Sequence, residues 1–195
     1  KRKRMSELIS GKSISVLINS QLQKEVGNLK LKGVEPCLAV ILVGEDPASQ
    51  VYVRNKKRTC EEIGIKSIGH DLKASISQKD LENLVKKLNN DSHVHGILCQ
   101  FPLPKGLDEK KIILTISPEK DVDGLHPLNA GLIAMGQPKF ISCTPYGVLQ
   151  ILKQTGINTS GKNTVVLGRS NLVGRPIATL LSSKGWDSTV TVCHS

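Results

Sequence analysis

The apolar run Leu38 to Val43, LAVILV, is the part of this sequence that most limits how the chain can fold. A continuous apolar run of strand length is typical of a parallel strand that is covered on both faces. A turn, GEDP, follows it, and Ser49 to Cys60 then has the pattern of a helix that ends near Gly64. A buried strand followed at once by a helix predicts a parallel α/β layer.

Strand and helix patterns alternate through the first half of the chain. The predicted elements are a helix closed by Gly33, a strand, a helix that starts at Ser77, a strand and a short helix capped by Asp108 (residues 13–31, 66–72, 77–88, 94–100 and 108–116). Because neither a repeat nor a low-complexity segment interrupts this alternation, the same parallel α/β layer is predicted to extend through it.

A connecting region of roughly residues 124–142 follows and holds a short helical piece from Asn129 to Met135. Thr144 is predicted to cap the next helix, which has Pro145 in its first position and runs to about Thr155.

The strand and helix pattern starts again after Gly161. Residues 163–168 are predicted as a strand, a GRSNLVG turn leads into a helix over residues 175–184 stopped by Gly185, and residues 188–193 form a second strand. One βαβ unit with glycines in its first turn is the opening of a dinucleotide-binding fold. A full sheet of this kind needs more strands, so the second domain is expected to be truncated.

The formal net charge of +10 includes four charges from the stretch Lys1 to Arg4, and the +6 that remains suits small anionic ligands. No nucleic-acid partner is expected, because the basic residues are spread among acidic ones and aromatic side chains, which stack bases, make up only 3% of the chain. Met5 has the position of a natural start, and no function is assigned to the stretch before it.

The five cysteines are widely spaced and form neither a Cys-x-x-Cys pair nor a Cys/His cluster. This pattern favours a reducing, intracellular compartment, with the cytoplasm first and an organelle as the alternative. No metal is proposed, since the histidines lack ligand spacing. No apolar run approaches ~18 residues and the N-terminus lacks the apolar core of a signal peptide, so no membrane partner is expected.

Tyr52 and Lys56 are four residues apart in the predicted helix, so they lie one above the other, about 5–6 Å apart, on a face that Ser49 begins. An aromatic ring and an amine at the mouth of a parallel sheet can hold a flat substrate beside a proton carrier. In an arbitrary helix, a packed tyrosine and a solvated lysine are the ordinary interpretation. The other motifs must decide between the two.

Gly168 and Gly174 bound the turn between the strand and the helix of the second half. Gly168 lets the chain turn off the strand, Gly174 lets the helix pack closely, and free amides at the helix start can hold a phosphate. The spacing differs from GxGxxG, so a merely structural turn is the alternative. The second strand ends in residues 193–195, Cys-His-Ser, rather than in the acid of an NAD site, whereas Arg169 can meet a 2′-phosphate. NADP is therefore preferred to NAD, with a solvated arginine as the alternative.

Asp121 and Asp123 are two residues apart in PEKDVDG, so on an extended segment they point the same way. They belong either to a solvated acidic loop or to a site in which a carboxylate accepts hydrogen bonds from the donor edge of a nitrogen heterocycle. Gln100 ends an apolar strand where parallel sheets bind ligands, although it can equally satisfy local backbone groups. Cys143 stands at a helix start, where a thiolate is stabilised, but the sequence offers it no His or Asn partner and covalent catalysis is not favoured.

Seven blocks of the sequence, in order, together resemble one family. They are LISGK (residues 8–12), VGEDPASQVYVRNKKRTCEEIGI (43–65), HGILCQFPLP (95–104), PEKDVDGLHPLNAG (118–131), CTPYG (143–147), GKNTVVLGRSNLVGRPIATLL (161–181) and TVTVCHS (189–195). From about Leu8 to Ser195 the chain resembles the bifunctional methylenetetrahydrofolate dehydrogenase/methenyltetrahydrofolate cyclohydrolase family of the FolD type.

The resemblance implies an NADP-dependent oxidation of 5,10-methylenetetrahydrofolate to the methenyl cation, then hydrolysis to 10-formyltetrahydrofolate, in one-carbon metabolism and purine biosynthesis. It implies a folate-binding catalytic domain over residues 5–141, connector included, and the N-terminal part of a Rossmann-type NADP-binding domain over residues 142–195. The implied partners are tetrahydrofolate derivatives and a second copy of the chain, since homodimers are typical of the family.

The resemblance also implies a role for each matching residue. Lys56 is the essential catalytic lysine, supported by Gln100, which also orients substrate and water. Tyr52 stacks on the folate and Asp123 binds the pterin ring. A partly desolvated lysine can assist water addition and ring opening, typically by ~10²–10⁴-fold.

Two further sets of positions match the family. Ser49 and the backbone from Leu98 to Pro102, which includes Phe101, line the folate cleft. The positions that match NADP contacts, together with the second glycine of the turn, are Gly168, Arg169, Ser170, Gly174 and Ser195.

The chain departs from the family pattern at three places. Leu125 replaces a common Phe and Ser142 a common Pro, and both are tolerable. Members continue well beyond the position of Ser195, so a chain complete at that residue is expected to bind NADP weakly and to turn over poorly as a dehydrogenase. The alternatives are a monofunctional cyclohydrolase or folate-binding remnant, and a non-catalytic nucleotide-binding module. The module has no need for Lys56 together with a matching amide and carboxylate.

Overall fold

The computed structural model describes residues 8–195, so the predictions for Lys1 to Arg4 and for Met5 fall outside the described residues. The chain contains two parallel β-sheets, as the alternating pattern predicted. Their strands are β1 (Cys37–Val43), β2 (Lys66–Leu72), β3 (Gly96–Cys99), β4 (Asn163–Leu167) and β5 (Thr189–Cys193). The first sheet has the order β2-β1-β3, and the second pairs β4 with β5.

Helices connect and cover the strands. They are α1 (Gly11–Leu31), α2 (Pro47–Ile63), α3 (Gln78–Asn90), α4 (Glu109–Thr115), α5 (Pro127–Ala134), α6 (Cys143–Gln154) and α7 (Gly174–Ser182). Between residues 8 and 195, none of these helices is long and apolar enough to cross a membrane.

Strand β1 is covered on both faces, which confirms the prediction from LAVILV. On one face, Ala39 and Ile41 are fully buried in a core built with α3, β3 and α4. On the other face, Val40 and Leu42 pack against Val53 of α2. The first sheet is therefore the middle layer of a three-layer α/β unit.

Helix α2 ends near Gly64 as predicted, but it begins at Pro47, two residues before the predicted start at Ser49, because Asp46 and Pro47 of the predicted turn form its N-cap and first position. The carboxylate of Asp46 accepts a hydrogen bond from the Ser49 amide at 2.8 Å, and Pro47 occupies the first turn. At the other end Gly64 has a φ of 84°, and the Ile65 amide donates back to the Cys60 carbonyl at 2.8 Å. Capping at both ends of α2 thus fixes the helix that carries Tyr52 and Lys56 on one face.

A second core lies between the helices of the second half. Ile133 of α5 and Leu149 of α6 pack with Ile177, Leu180 and Leu181 of α7. Helix α5, which the sequence assigned to the connector, therefore packs with the helices that follow it.

The second sheet is covered on one face only among the described residues. Helix α7 packs over β4 and β5, whereas Val165 and Leu167 on the opposite face are 61% and 84% exposed. This differs from the first sheet, where both faces of the central strand are buried.

Several helix boundaries differ from the prediction; α1, for example, begins at Gly11 instead of residue 13. Helix α5 begins at Pro127 instead of Asn129, because a proline is well suited to a first turn. Helix α6 begins at Cys143 with Ser142 as the N-cap, so the Thr144 cap was wrong; Pro145 still fits, since amides of the first turn have no helical partner.

Helix α7 ends at Ser182 instead of Lys184. The hydroxyl of Ser183 donates to the Thr179 carbonyl at 2.7 Å, so a side chain satisfies a carbonyl of the last turn and the helix does not extend to Gly185.

Candidate active site

A cleft of about 810 Å³ runs alongside α2. Its lining includes Tyr52 and Lys56 from α2 and Leu98 from β3. Val122 from the loop between α4 and α5 and Cys143 from the first turn of α6 also line it. It also reaches the amino ends of β1 and β3, so it lies along the face of the sheet and is longer than a pocket at the carboxyl edge alone. The structure thus brings the predicted ring and amine into one cavity.

Lys56 is held toward the end of β3. It is half-buried, and its Nζ donates to Oε1 of Gln100 at 3.2 Å. Gln100 is fixed in turn, because its amide nitrogen Nε2 donates to the Phe101 carbonyl at 2.9 Å and its backbone amide donates to the Ile41 carbonyl at 2.9 Å. The glutamine therefore presents its carbonyl oxygen to the lysine in a single orientation.

Asp123 shares this environment. Burial raises the pKa of its carboxyl, and the nearby Lys56 ammonium opposes that rise. Its Oδ1 accepts a hydrogen bond from the Cys143 thiol at 3.6 Å. Lys56 lines the cleft itself, whereas Gln100 contacts Lys56 and Asp123 contacts Cys143, so both lie next to lining residues. All three side chains can exchange hydrogen bonds with a nitrogen heterocycle.

Asp121 and Asp123 have different hydrogen-bond partners, although the Asp121 charge is near enough to help raise the pKa of Asp123. Asp121 is 3% exposed and accepts hydrogen bonds from the His126 amide and from Asn129 Nδ2, both at 2.8 Å. Only Asp123 adjoins Lys56. The turn at Gly124, with a φ of 63°, follows the two carboxylates directly.

The cysteines behave as thiols. All five are free, and burial raises the pKa of Cys99 to about 12. Partial burial and the Asp123 carboxylate raise the pKa of Cys143, which keeps its thiol protonated although it stands at a helix start. Covalent catalysis by Cys143 was not favoured from the sequence either.

A second cavity, of about 570 Å³, lies at the carboxyl ends of β4 and β5. Gly168, Arg169 and Ser195 line it, together with Cys193 and His194. These are positions that the sequence predicted for NADP, and the structure brings them together.

Gly174 and Ser170 belong to the same turn but have other tasks. A Cβ on Gly174 would lie 2.7 Å from the Gly168 carbonyl carbon, so only glycine allows this close approach. Ser170 Oγ accepts the amides of Val173 and Gly174 at 3.2 and 3.3 Å. The prediction that the amides at this helix start are free was therefore wrong for these two, because a side chain caps them.

The turn fits the adenosine end of a dinucleotide phosphate. Gly168, with a φ of 108°, turns the chain away from β4. Arg169 is exposed and forms no salt bridge with any residue from 8 to 195, so its guanidinium can receive a phosphate. The NAD-type acid is missing from the end of β5, where Cys193 stands.

Five residues predicted for the cleft do not line it. Gln100 and Asp123 lie next to lining residues, through their hydrogen bonds with Lys56 and Cys143. Ser49 is 4% exposed and is buried in the first turn of α2. Phe101 packs against the core of the first sheet, and Pro102 is exposed. Leu98 alone of the predicted Leu98 to Pro102 segment lines the cavity itself.

Residues that the sequence analysis missed also line the cleft. Asn55 and Thr59 stand three and seven residues after Tyr52 and share its face of α2, a spacing that helical periodicity predicts. His95 lines the amino end, where its Nδ1 accepts the Cys37 amide at 3.2 Å. No sequence signal indicated the histidine, since its role depends on the pairing of β1 with β3.

The raised pKa of Asp123 has a consequence for stability that can be measured. The folded state favours the protonated carboxyl, so this residue contributes stability below its ordinary pKa of 3.8, and the contribution is lost as pH rises through the raised value. Asp123→Asn is therefore expected to unfold at higher denaturant concentration than the wild type at pH 7, with a difference that vanishes in acid. Urea unfolding at pH 3.5 and pH 7 checks this.

Asp91→Asn is the control of opposite sign. The His93 amide donates to Asp91 at 2.9 Å and lowers the pKa of its carboxyl, so the contribution of Asp91 is present at neutral pH and is lost as pH falls. A destabilised Asp123→Asn at pH 7 would contradict the prediction.

A largely apolar cleft that holds the amine of Lys56, in one parallel α/β unit, and a glycine-bounded βαβ turn in another together define a nucleotide-dependent α/β enzyme with separate substrate and dinucleotide sites. Two family profiles match the chain: "Tetrahydrofolate dehydrogenase/cyclohydrolase, catalytic domain" over residues 9–123, and its "NAD(P)-binding domain" over residues 142–195. The chain belongs to the tetrahydrofolate dehydrogenase/cyclohydrolase family.

Known relatives agree with this assignment. "Bifunctional protein FolD" of Agathobacter rectalis is 52% identical over 98% of this chain and 68% of that protein. The crystal structure of the Campylobacter jejuni FolD enzyme has a TM-score of 0.93 and 47% identity over 96% of this chain and 66% of that one. A Trypanosoma brucei FolD complexed with NADP cofactor and inhibitor has a TM-score of 0.91 and 36% identity, over 97% of this chain and 64% of that one. The chain thus spans about two thirds of the length of these relatives.

Proposed function

We propose that this chain binds tetrahydrofolate derivatives in the cleft beside α2, oxidises 5,10-methylenetetrahydrofolate with NADP and hydrolyses the methenyl product to 10-formyltetrahydrofolate. The observation that carries this proposal is the hydrogen bond of 3.2 Å between Nζ of Lys56, which lines the cleft, and Oε1 of Gln100, with the Asp123 carboxyl near the same lysine. Family membership supplies the reaction, and this arrangement supplies the groups that the reaction needs.

The hydrolysis requires a proton to be moved. A water oxygen forms a bond to the methenyl carbon, the bond from that carbon to N5 breaks, one water proton reaches N5, and the other is released to solvent. Lys56 is placed to carry the proton between water and ring nitrogen, while Gln100 fixes the amine and orients the water. Proton transfer by a positioned side chain contributes typically ~10²–10⁴-fold.

The folate is held by the other side chains of the cleft. Tyr52 is 60% exposed and offers its ring as a stacking surface at the mouth of the cleft. Asp123 is proposed to bind the donor edge of the pterin, a charged hydrogen bond that is stronger than a neutral one. Leu98 and Val122 provide apolar contact along the same cavity.

NADP, when bound, supplies the acceptor for the hydride of the methylene carbon. The residues of this chain contribute orientation, because the folate nitrogens stabilise the developing cation and little acid–base help is needed. Gly168 and Ser195 are proposed to line the nucleotide site, Arg169 to hold the 2′-phosphate, and Ser170 and Gly174 to shape the turn.

A cyclohydrolase without effective hydride transfer is the second candidate. Except for Cys143 at the start of α6, the cleft residues named above belong to the first sheet and to the helices and connections around it. By contrast, β4 and β5 form a sheet with one exposed face among the described residues. A nucleotide site on so small a sheet is expected to bind less tightly.

Further features are proposed on the same basis. The chain divides into a catalytic domain, residues 5–141 with α5 in the connector, and a nucleotide-binding domain from residue 142. Assembly is proposed as a homodimer in a reducing, intracellular compartment, with one-carbon metabolism and purine biosynthesis as the setting. The wide spacing of the five cysteines in the sequence supports the compartment.

The test uses the 195-residue chain and follows the absorbance of the methenyl group. Loss of this absorbance from 5,10-methenyltetrahydrofolate measures hydrolysis, and its appearance from 5,10-methylenetetrahydrofolate measures oxidation, with NADP and NAD compared. We expect hydrolysis above the rate without protein and faster oxidation with NADP than with NAD. Hydrolysis without oxidation supports the second candidate. If the chain catalyses neither reaction, both candidate functions are contradicted.

A further inference from the structure

Asn129 anchors the segment that carries Asp123. It lies in α5 and is 0% exposed. Its Nδ2 donates to the Pro118 carbonyl at 2.9 Å and to Asp121 Oδ2 at 2.8 Å. The same Asp121 oxygen accepts the His126 amide at 2.8 Å. One buried amide thus binds two positions, Pro118 and Asp121, of the loop between α4 and α5.

The chemistry of this anchor requires an amide donor. Both partners of Asn129 Nδ2 are oxygen acceptors, so an aspartate at this position would bring three acceptors together. Its own Oδ1 is buried and has no hydrogen-bond partner within residues 8–195. A buried polar atom without a partner lowers stability. The favourable hydrogen bonds of the Asn129 side chain are therefore the two that Nδ2 donates.

The anchor is connected to the cleft by backbone. The Ile97 amide of β3 donates to the Lys120 carbonyl at 2.7 Å, and the Gly124 amide donates to the Asp121 carbonyl at 3.2 Å. Asp123 lies between these bonds, and its own side chain has only the Cys143 thiol at 3.6 Å as a hydrogen-bond partner in the described chain. The backbone around it must therefore determine where its carboxylate lies.

We propose that Asn129 is a positioning residue, which acts through Asp121 and the turn of residues 121–124 to hold the Asp123 carboxylate against the folate cleft. This rests on the proposed function. Asn129 itself does not line the cleft, and it is on a helix that packs into the second core through Ile133. A purely structural asparagine would change stability without changing the environment of Asp123.

A double-mutant cycle separates these two roles. The variants are Asn129→Leu, which has similar volume and no donor, Asp123→Asn and the double variant, and the measurement is tetrahydrofolate binding by anaerobic calorimetry. Each single substitution is expected to weaken binding roughly tenfold or more. The double variant is expected to match Asp123→Asn within about twofold, because both substitutions remove one function. Additive losses would overturn the proposal.

Asn129→Ala is the milder variant for the case that Asn129→Leu does not fold. Its smaller side chain leaves room for a water that can donate to the same oxygens, so a smaller loss and the same non-additivity are expected. Lys139→Ala is the matched control, since it removes an exposed ion pair of 3.0 Å with Glu119 of the same loop. It should leave binding unchanged.

A measurement without ligand keeps the proposal independent of the folate assignment. Carboxyl NMR titration reports the Asp123 pKa, which is raised in the wild type chiefly by burial. A loosened turn exposes the carboxyl, so its pKa is expected to fall toward 3.8 in the Asn129 variants. An unchanged titration would refute the positioning role. If wild type and Asp123→Asn both fail to bind tetrahydrofolate, the proposed function fails, and the titration alone decides the role of Asn129.

Discussion

Replacing Lys56 with methionine is expected to slow hydrolysis of 5,10-methenyltetrahydrofolate by ~10²–10⁴-fold while leaving the protein folded. Methionine keeps most of the length of the apolar stem and removes the amine that donates to Gln100 Oε1 at 3.2 Å. The water that attacks the methenyl carbon then lacks its proton carrier. Binding of tetrahydrofolate should change much less, because Tyr52 and Asp123 are untouched.

Lys57→Met is the matched control for this result. Lys57 is the next residue of α2, but its Nζ lies 3.6 Å from Asp71 on β2, away from the cleft. An exposed ion pair of this kind contributes little to stability, so hydrolysis by the control is expected within about twofold of wild type. Equal rates for Lys56→Met and wild type, measured under single-turnover conditions, would refute the role of Lys56.

The fold could be predicted because its determinants are local. LAVILV requires cover on both faces, and the structure places α2 on one side of β1 and α3 on the other. The end of α2 followed from Gly64, whereas Asp46 and Pro47, which were assigned to the turn, start the helix two residues earlier than predicted. Binary pattern and capping residues therefore determined the elements and most of their boundaries.

The candidate site could be predicted in part. Tyr52 and Lys56 share a face at helical spacing, and the structure places both in one cleft. The different hydrogen-bond partners of Asp121 and Asp123 could not be predicted. They depend on a turn and on Asn129, which is eight residues after Asp121. The structural role of Asn129 likewise depends on burial, which no local pattern of PEKDVDGLHPLNAG reveals.

The nucleotide turn shows the same limit. Glycines at 168 and 174 predicted a close approach, and the structure contains one. The spacing did not reveal that Ser170 Oγ occupies the amides of Val173 and Gly174. Serine both caps helices and binds phosphates, so its identity alone cannot distinguish these tasks.

Ser142 illustrates how a departure from the family pattern can acquire a contact. It is 2% exposed, and its hydroxyl donates to the Leu172 carbonyl at 2.7 Å. A Cβ on Gly124 would lie 3.0 Å from the Ser142 amide nitrogen. Ser142 therefore contacts both the turn after Asp123 and the nucleotide turn. The proline common in the family has no hydroxyl and cannot make the hydrogen bond to Leu172.

Gly174→Ala is expected to lower the free energy of unfolding by ~1–3 kcal/mol, a typical cost of overpacking. The added Cβ would lie 2.7 Å from the carbonyl carbon of Gly168 and 3.0 Å from Cα of Arg169. Both neighbours are backbone atoms, so no side-chain rotation relieves the clash and the turn itself must move. Because Gly168 and Arg169 line the nucleotide cavity, NADP binding is expected to weaken together with stability.

Gly27→Ala distinguishes this clash from the general effect of alanine in a helix. Gly27 lies within α1, and apart from its own helix no atom among the described residues comes within 4 Å of the position that an added Cβ would take. Alanine there is therefore expected to be neutral or to stabilise by up to ~1 kcal/mol. Urea unfolding of both variants, with calorimetric NADP titration, gives the comparison. If Gly174→Ala unfolds at the same urea concentration as Gly27→Ala, the close approach of α7 to the turn does not constrain residue 174.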